Sequence, residues 1–311
     1  MSQFRTIASL TPSAFQIGYG DQIALMGSCF SNNIAMKLAD RKLKVLSNPY
    51  GIVFNPISLF KSIQEIIDQK EYDSSHLVFH NELQHSLNHH SEFSHPESSE
   101  VIQKINSNIF KARDFLQTAK VLYLTLGTAW VYSYDGEIVA NCHKIPNHQF
   151  EKRLLSIEDI TDSFEPVIKR LNVFNPDLKI VFTLSPVRHL KDGFEENSLS
   201  KALLRSAISQ LVGRGGQVSY FPAFEIMMDD LRDYRFYTKD LLHPSEQAVD
   251  YIWDKFCSCY MNADTLAIMQ RVENLEAAKN HLPRFPNSAA HQKHKAFIQK
   301  EIAALKKFIQ Y

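Results

Sequence analysis

Three apolar runs of six residues, each stopped by a turn residue, set the strongest limit on how this chain can fold. They are Gln22-Ile23-Ala24-Leu25-Met26-Gly27, then Val121-Leu122-Tyr123-Leu124-Thr125-Leu126 before Gly127-Thr128, and Lys179-Ile180-Val181-Phe182-Thr183-Leu184 before Ser185-Pro186. Runs so short and so uniformly apolar lack a polar face, which predicts strands covered on both sides. Lys44-Val45-Leu46 and Gln217 to Phe221 are shorter candidates. Between them lie stretches with helical spacing: Ile34 to Ala39, Ile57 to Ile67 with Pro56 in its first turn, Ser156 to Val173 opened by Ser156-x-x-Asp159, Leu199 to Leu211, and Ser245 to Tyr260. Strands alternating with helices predict an α/β chain, a parallel sheet with helices on both faces. Asp135-Gly136, between Trp130–Tyr134 and Glu137–Ala140, predicts a hairpin.

From about Ala263 the character changes. Residues 263–281 and 288–309 read as helices separated by Leu282-Pro283-Arg284-Phe285-Pro286. The chain therefore divides into an α/β domain over 1–262 and a helical C-terminal extension over 263–311. Phe297, Ile298, Ile302, Leu305 and Ile309 recur near the helical period. Such a stripe packs on its own domain or, alternatively, joins two copies into a homo-oligomer.

The 34 Lys and Arg balance the 34 Asp and Glu. No basic excess calls for a nucleic-acid partner. No apolar run reaches the roughly 18 residues a membrane helix needs, and the N-terminus lacks a basic stretch followed by an apolar core. Four scattered cysteines are too few for a disulfide scaffold, so cytoplasmic residence is the simplest expectation.

Ligands of parallel sheets bind beyond the carboxyl ends of the strands. Ser28, Gly51, Gly127, Thr128 and Ser185 all fall there, and Asp240-Leu241-Leu242-His243 precedes the last core helix. A serine hydroxyl needs a base in hydrogen-bond reach, and that base works better when a carboxylate holds its ring. Ser28, His243 and Asp240 supply the three parts. Cys29 is intrinsically the better nucleophile, but neighbouring side chains in such a turn diverge. If Ser28 faces the cleft, Cys29 faces the core.

His76, His80, His85, His89, His90 and His95 crowd a polar segment, residues 71–100, that reads as a solvated loop with short extended pieces. The serines and asparagines around them argue against a helix that would align His85 and His89 on a metal, so no metal and no cofactor is expected. His90, just before Ser91, is the one best placed to line the cleft.

Gly27-Ser28-Cys29-Phe30-Ser31 resembles the namesake motif of the GSCFA domain, whose fifth residue is usually alanine. That domain is similar to the SGNH (GDSL-like) hydrolases, esterases on a three-layer flavodoxin-like fold. The resemblance spans residues 20–260, is strongest at this turn and at Asp240-Leu-Leu-His243-Pro-Ser, and extends to Asn141-Cys142-His143-Lys144 and Ser185-Pro186-Val187. It implies Ser28 as nucleophile, His243 as base and Asp240 as its orienter. It also implies a glycine oxyanion donor, for which Gly51 is the candidate beside the N–H of Ser28. The asparagine of the family's third block is replaced here by Ala129, so Thr128, Asn55, Asn141, His143 or His90 must substitute. The expected function is metal-independent removal of acyl, perhaps acetyl, groups from an O-acylated carbohydrate or small metabolite. Acyl transfer on the same triad, and non-catalytic carbohydrate binding on a hydrolase scaffold, are the alternatives.

Overall fold

The apolar runs pair as parallel strands in a computed structural model that describes residues 6–281 and 287–309. Strands β1 (Gln22–Gly27), β2 (Lys44–Ser47), β3 (Val121–Leu126), β4 (Lys179–Leu184) and β5 (Val218–Phe221) form one sheet in the order β2-β1-β3-β4-β5. Every pairing is parallel. The longer helices among the described residues are α1 (Cys29–Asp40), α2 (Pro56–Asp68), α3 (Ser98–Gln117), α4 (Ile157–Phe174), α5 (Phe194–Gly213), α6 (Glu246–Tyr260), α7 (Ala263–Asn280) and α8 (Ala289–Leu305).

Alternate strand side chains feed two cores. Ala24, Met26, Leu122, Leu124, Ile180 and Phe182 pack with residues of α2 to α5. Ile23, Leu25, Val121, Tyr123 and Val181 pack with residues of α1, α6, α7 and α8. This is the three-layer, flavodoxin-like α/β architecture expected from the sequence. Strand order reverses direction between β1 and β3, and the crevice beyond that switch point is where such sheets bind ligands.

The local signals act as the residues require. Asn55 caps α2 ahead of Pro56, Ser156 and Asp159 form a reciprocal capping box on α4, and Ser245 caps α6. Asp135 and Gly136 take positive φ in the tight turn of the expected hairpin. A third strand, Glu151–Leu154, joins that hairpin beyond the sequence reading. Helix α3 was not anticipated either, although it buries Val101, Ile105, Ile109, Ala112 and Leu116.

The histidine segment departs from the solvated loop that was expected. His85 is 5% exposed and His89 is 0% exposed. His89 stacks on Tyr50 with ring centroids 4.2 Å apart, and Tyr50 in turn donates to Glu65 at 3.0 Å. Glu65 also takes bonds from Tyr72 and Lys70, which satisfies a carboxylate buried under this segment.

The C-terminal helices continue the second core. Ile268, Met269, Val272, Leu275, Leu305 and Ile309 share it with Ile17 and Trp253, while Phe297 remains 45% exposed. Arg271 pairs with Glu301 to tie α7 to α8. The stripe thus packs largely on its own chain. The Leu282–Pro286 separator lies outside the described residues. Among the described residues no helix is long and apolar enough to cross a membrane.

Candidate active site

The turn from β1 into α1 is built around Gly27. Its φ is +127°, and a Cβ there would lie 2.1 Å from the Thr125 carbonyl oxygen of β3. Only glycine tolerates both demands. Its N–H donates to Asn48 Oδ1 at 2.7 Å, which ties the end of β2 to the same turn. Ser28 follows as the N-cap of α1. Its N–H donates to Thr125 O at 3.1 Å, and its Oγ accepts the Phe30 N–H at 3.3 Å.

Exposure in this turn is opposite to the sequence expectation. Ser28 is 0% exposed, whereas Cys29 is partly exposed. An N-cap side chain folds back over the first helical N–H groups, and the next residue is left to point elsewhere. Burial pushes the Cys29 thiol up, while the N–H groups of Cys29 and Phe30 and the charge of Lys201 pull it down.

Across the sheet edge, Asp240 and His243 lie in a loop that closes on itself. Thr238 donates to His243 O at 2.8 Å, and Leu241 takes a left-handed φ of 60°. Asp240 Oδ1 accepts from Thr238 Oγ1, Leu242 N and His243 N at 2.6, 2.9 and 3.0 Å. Its Oδ2 lies 2.7 Å from His243 Nδ1. Those donors, the Thr238 hydroxyl first, hold the carboxyl far below the usual range. A ring held through Nδ1 leaves Nε2 as the proton-accepting nitrogen. The Arg188 N–H donates to Leu242 O at 3.1 Å, which fastens this loop to the segment leaving β4.

Two groups absent from the sequence-based candidates complete the edge. Lys201, on α5, is 3% exposed and donates to Gly127 O and Ser185 O, both at 2.8 Å. These carbonyls sit just past β3 and β4, so one ammonium bridges two strand ends. Burial pushes Lys201 down to about 7. His189 packs edge-on to Phe54, and its Nε2 is buried with no hydrogen-bond partner among the described residues. Burial, then the charges of Lys201 and His243, push it down to about 3. The sequence signal for Lys201 was its place on the buried stripe of α5 with Leu204, Ile208 and Leu211.

The expected oxyanion and substrate residues divide into two groups. Asn55, Thr128 and Asn141 line one cavity of about 280 Å³ with Phe54, Trp130 and His189. Asn55 is spent there, since Oδ1 caps α2 and Nδ2 donates to Ser58 Oγ and Val139 O. Thr128 Oγ1 bonds Ser200 and accepts the Trp130 N–H. Asn141 accepts from His143 N through Oδ1.

Gly51, His90 and His143 do not line that cavity. The Gly51 N–H donates to Asn48 O at 2.7 Å, so with the Ser28 N–H on Thr125 both backbone donors assigned to the oxyanion are engaged within the fold. His90 packs its Cβ where a side chain on Gly51 would go, and it caps the short turn Ser91–Phe93. His143 is 6% exposed with Nε2 on Ser86 O at 2.8 Å, and burial pushes it down to about 4. Among the described residues no group of three or more His, Cys, Asp or Glu is arranged to hold a metal ion. A larger cavity, about 590 Å³, lies between Ser9–Phe15 and the strand edge at Lys179 and Val218, and holds none of these residues.

The chain belongs to the GSCFA family, whose model matches residues 22–256. No curated protein matches it. Among solved structures it is similar to a carbohydrate esterase family 3 protein from Talaromyces cellulolyticus, at 7% identity and a TM-score of 0.37 over 82% of this chain and 99% of the other. It is also similar to a Clostridium thermocellum family 3 carbohydrate esterase, at 12% identity and a TM-score of 0.34 over 81% and 98%. The acetyl xylan esterase Est2A from Butyrivibrio proteoclasticus gives 10% identity and a TM-score of 0.36 over 78% and 66%. Membership in the family rests on the match over residues 22–256.

Proposed function

We propose that this protein is a hydrolase of carboxylic esters. His243 is its general base, Asp240 the orienter of that base, and the β1–α1 turn the source of the nucleophile. The observation that carries the reading is the Asp240–His243 pair. Its 2.7 Å contact fixes the ring through Nδ1, and the carboxylate is held ionised by three further donors. A base so oriented takes a proton from a nucleophile and later returns it to a leaving group or withdraws one from water. No step needs a metal.

Developing negative charge on the carbonyl oxygen needs donors not already committed. The Ser28 and Gly51 N–H groups are engaged, so the Cys29 N–H at the positive end of α1 takes that role here. The cavity at Thr128, Asn141 and His189 takes the rest of the substrate. Its mix of aromatic and amide groups suits an O-acylated carbohydrate or small hydroxylated metabolite. All four thiols are unpaired, in keeping with cytoplasmic residence.

Turnover of p-nitrophenyl acetate by wild type and His243→Ala tests the reading. Wild-type turnover that falls by a factor of about 10³ or more in the variant supports it. Equal rates in the two folded proteins remove it.

A further inference from the structure

The cavity of about 280 Å³ beside the strand ends keeps polar groups that the fold does not use. Trp130 Nε1 and His189 Nε2 are both buried with no hydrogen-bond partner among the described residues, and both residues line this one cavity. Buried nitrogens are rarely left so, and two in one lining call for a reason. A Cβ on Gly127 would lie 3.2 Å from His189 Nε2, so the glycine that ends β3 leaves room for that ring. Asn141 adds a third group, since Oδ1 accepts the His143 N–H while Nδ2 is committed to no described residue.

Charge and shape narrow what fits. Asp192, the carboxylate of the lining, pairs with Lys152, whose ammonium lies 4.2 Å from the Trp130 ring centroid. Lys191 also lines the cavity, 5.6 Å from the Tyr132 ring centroid, and has no carboxylate partner among the described residues. The wall therefore carries one uncompensated positive charge. The Trp130 N–H, the Asn141 amide and the Lys191 ammonium are all donors, and the His189 ring, kept neutral by burial, donates or accepts. A surplus of donors suits a ligand rich in acceptors, and an anionic oxygen is the strongest of these. Phe54, Trp130 and Tyr132 offer apolar surface to the carbon skeleton of a ring. Ligand pockets run from roughly 300 to 1,000 Å³, so a cavity at the lower end takes one ring and not a chain.

The walls are fastened to both halves of the candidate site. The Val53 N–H donates to Gly27 O at 3.0 Å, and Phe54 O accepts from Gly127 N and Thr128 N at 2.9 and 3.2 Å. His189 packs edge-on to Phe54, and its neighbour Arg188 donates to Leu242 O in the His243 loop.

We propose that this cavity is a subsite for a single anionic sugar unit, a hydroxylated ring bearing a carboxylate or phosphate, which Trp130 and Lys191 select. The inference rests on the hydrolase reading above and makes the alcohol part of the ester an acidic sugar. Lys191 and the Asn141 amide take the anionic oxygens, Trp130 donates through Nε1, and His189 Nε2 bonds a ring hydroxyl.

Calorimetric titration of the full chain with sodium glucuronate, glucose 6-phosphate, glucose and sodium acetate tests it. One of the two acidic sugars should bind at least about tenfold more tightly than either glucose or acetate, the margin of one charge-assisted hydrogen bond, and which one does so tells carboxylate from phosphate. Trp130→Phe keeps an aromatic ring but loses the N–H, and should weaken that sugar by about tenfold. Lys191→Met, at an exposed position, should bring it down to the affinity of glucose. Glucose or acetate binding as tightly as both acidic sugars, no saturable binding of any of the four, a preference that survives Lys191→Met, or an affinity unchanged in Trp130→Phe overturns the subsite. Binding is read without turnover. An acidic sugar bound by protein that does not turn over p-nitrophenyl acetate removes the hydrolase reading and leaves a binding site, whereas turnover without such binding removes the subsite alone.

Discussion

His243 Nδ1 lies 2.7 Å from Asp240 Oδ2, while the other oxygen of the same carboxylate accepts the backbone N–H of His243 at 3.0 Å. One side chain thus fixes both the ring and the peptide that carries it. The two residues are three apart, so the loop sets this geometry locally, and the bond from Arg188 N to Leu242 O then places the loop against the sheet edge. Orientation of the ring is a property of the turn; the placement of that turn beside the segment leaving β4 is a property of the fold.

Asp240→Asn should lower kcat by about 10²- to 10⁴-fold, because the amide no longer holds the ring in the tautomer that frees Nε2. The stability effect has a definite sign. The folded carboxyl titrates below its unfolded value near 3.9, so its contribution is complete above that value and fades as pH falls toward the folded one. Urea melts of wild type and Asp240→Asn should therefore differ near pH 7 and converge below about pH 4. Curves that stay parallel down to the acid transition would contradict the bonding described.

His243→Gln should abolish turnover yet leave the melting temperature close to wild type, since the ring is 48% exposed and its removal opens no core cavity. A calorimetric scan beside the ester assay checks both. A large drop in Tm would mean that the ring is a structural strut rather than a base.

Lys201→Met should change how stability depends on pH. In the folded protein this ammonium loses its proton near pH 7, far below its unfolded value of about 10.4. The unfolded chain then binds more protons across that window, and wild-type stability gains from raising the pH. Relative to Lys201→Met, wild type should become steadily more stable from pH 7 to pH 9 in guanidinium melts. At pH 7 the variant also leaves Gly127 O and Ser185 O without their donor, a loss of about 1–3 kcal/mol for each buried group. A pH-independent difference would show that Lys201 does not titrate in this range.

Gly27→Ala should destabilise the protein by at least about 3 kcal/mol, because a positive φ and a collision with a backbone carbonyl act together. Gly136→Ala, also at positive φ but with no heavy atom within 4 Å of the added carbon, should cost only about 1 kcal/mol. Chemical denaturation of both variants compares them. Equal losses would mean that strain alone, not the close approach to β3, fixes Gly27.

Much of the architecture was legible because it is written in short-range chemistry. Uniformly apolar runs marked β1, β3 and β4; Ser156 with Asp159, Asn55 with Pro56, and Asp135 with Gly136 marked two helix starts and a hairpin turn. Helix α3 escaped notice since its buried positions are diluted by polar neighbours and it follows the histidine-rich stretch. That stretch itself looked solvated, because nothing in its composition announces that Tyr50 and Glu65, from a distant strand end and helix, meet His89 and Tyr72 inside the protein.

The sequence by itself determined the alternation of strands and helices, the glycine at the β1 turn and the spacing of Asp240 to His243, for each depends on residues within a few positions of one another. Only the tertiary structure decided which of two neighbouring nucleophiles meets solvent, that Lys201 joins the ends of β3 and β4, and that the backbone donors of Ser28 and Gly51 are taken. Exposure and hydrogen-bond commitment are set by what packs against a group from elsewhere in the chain, and a residue's neighbours in sequence do not contain that information.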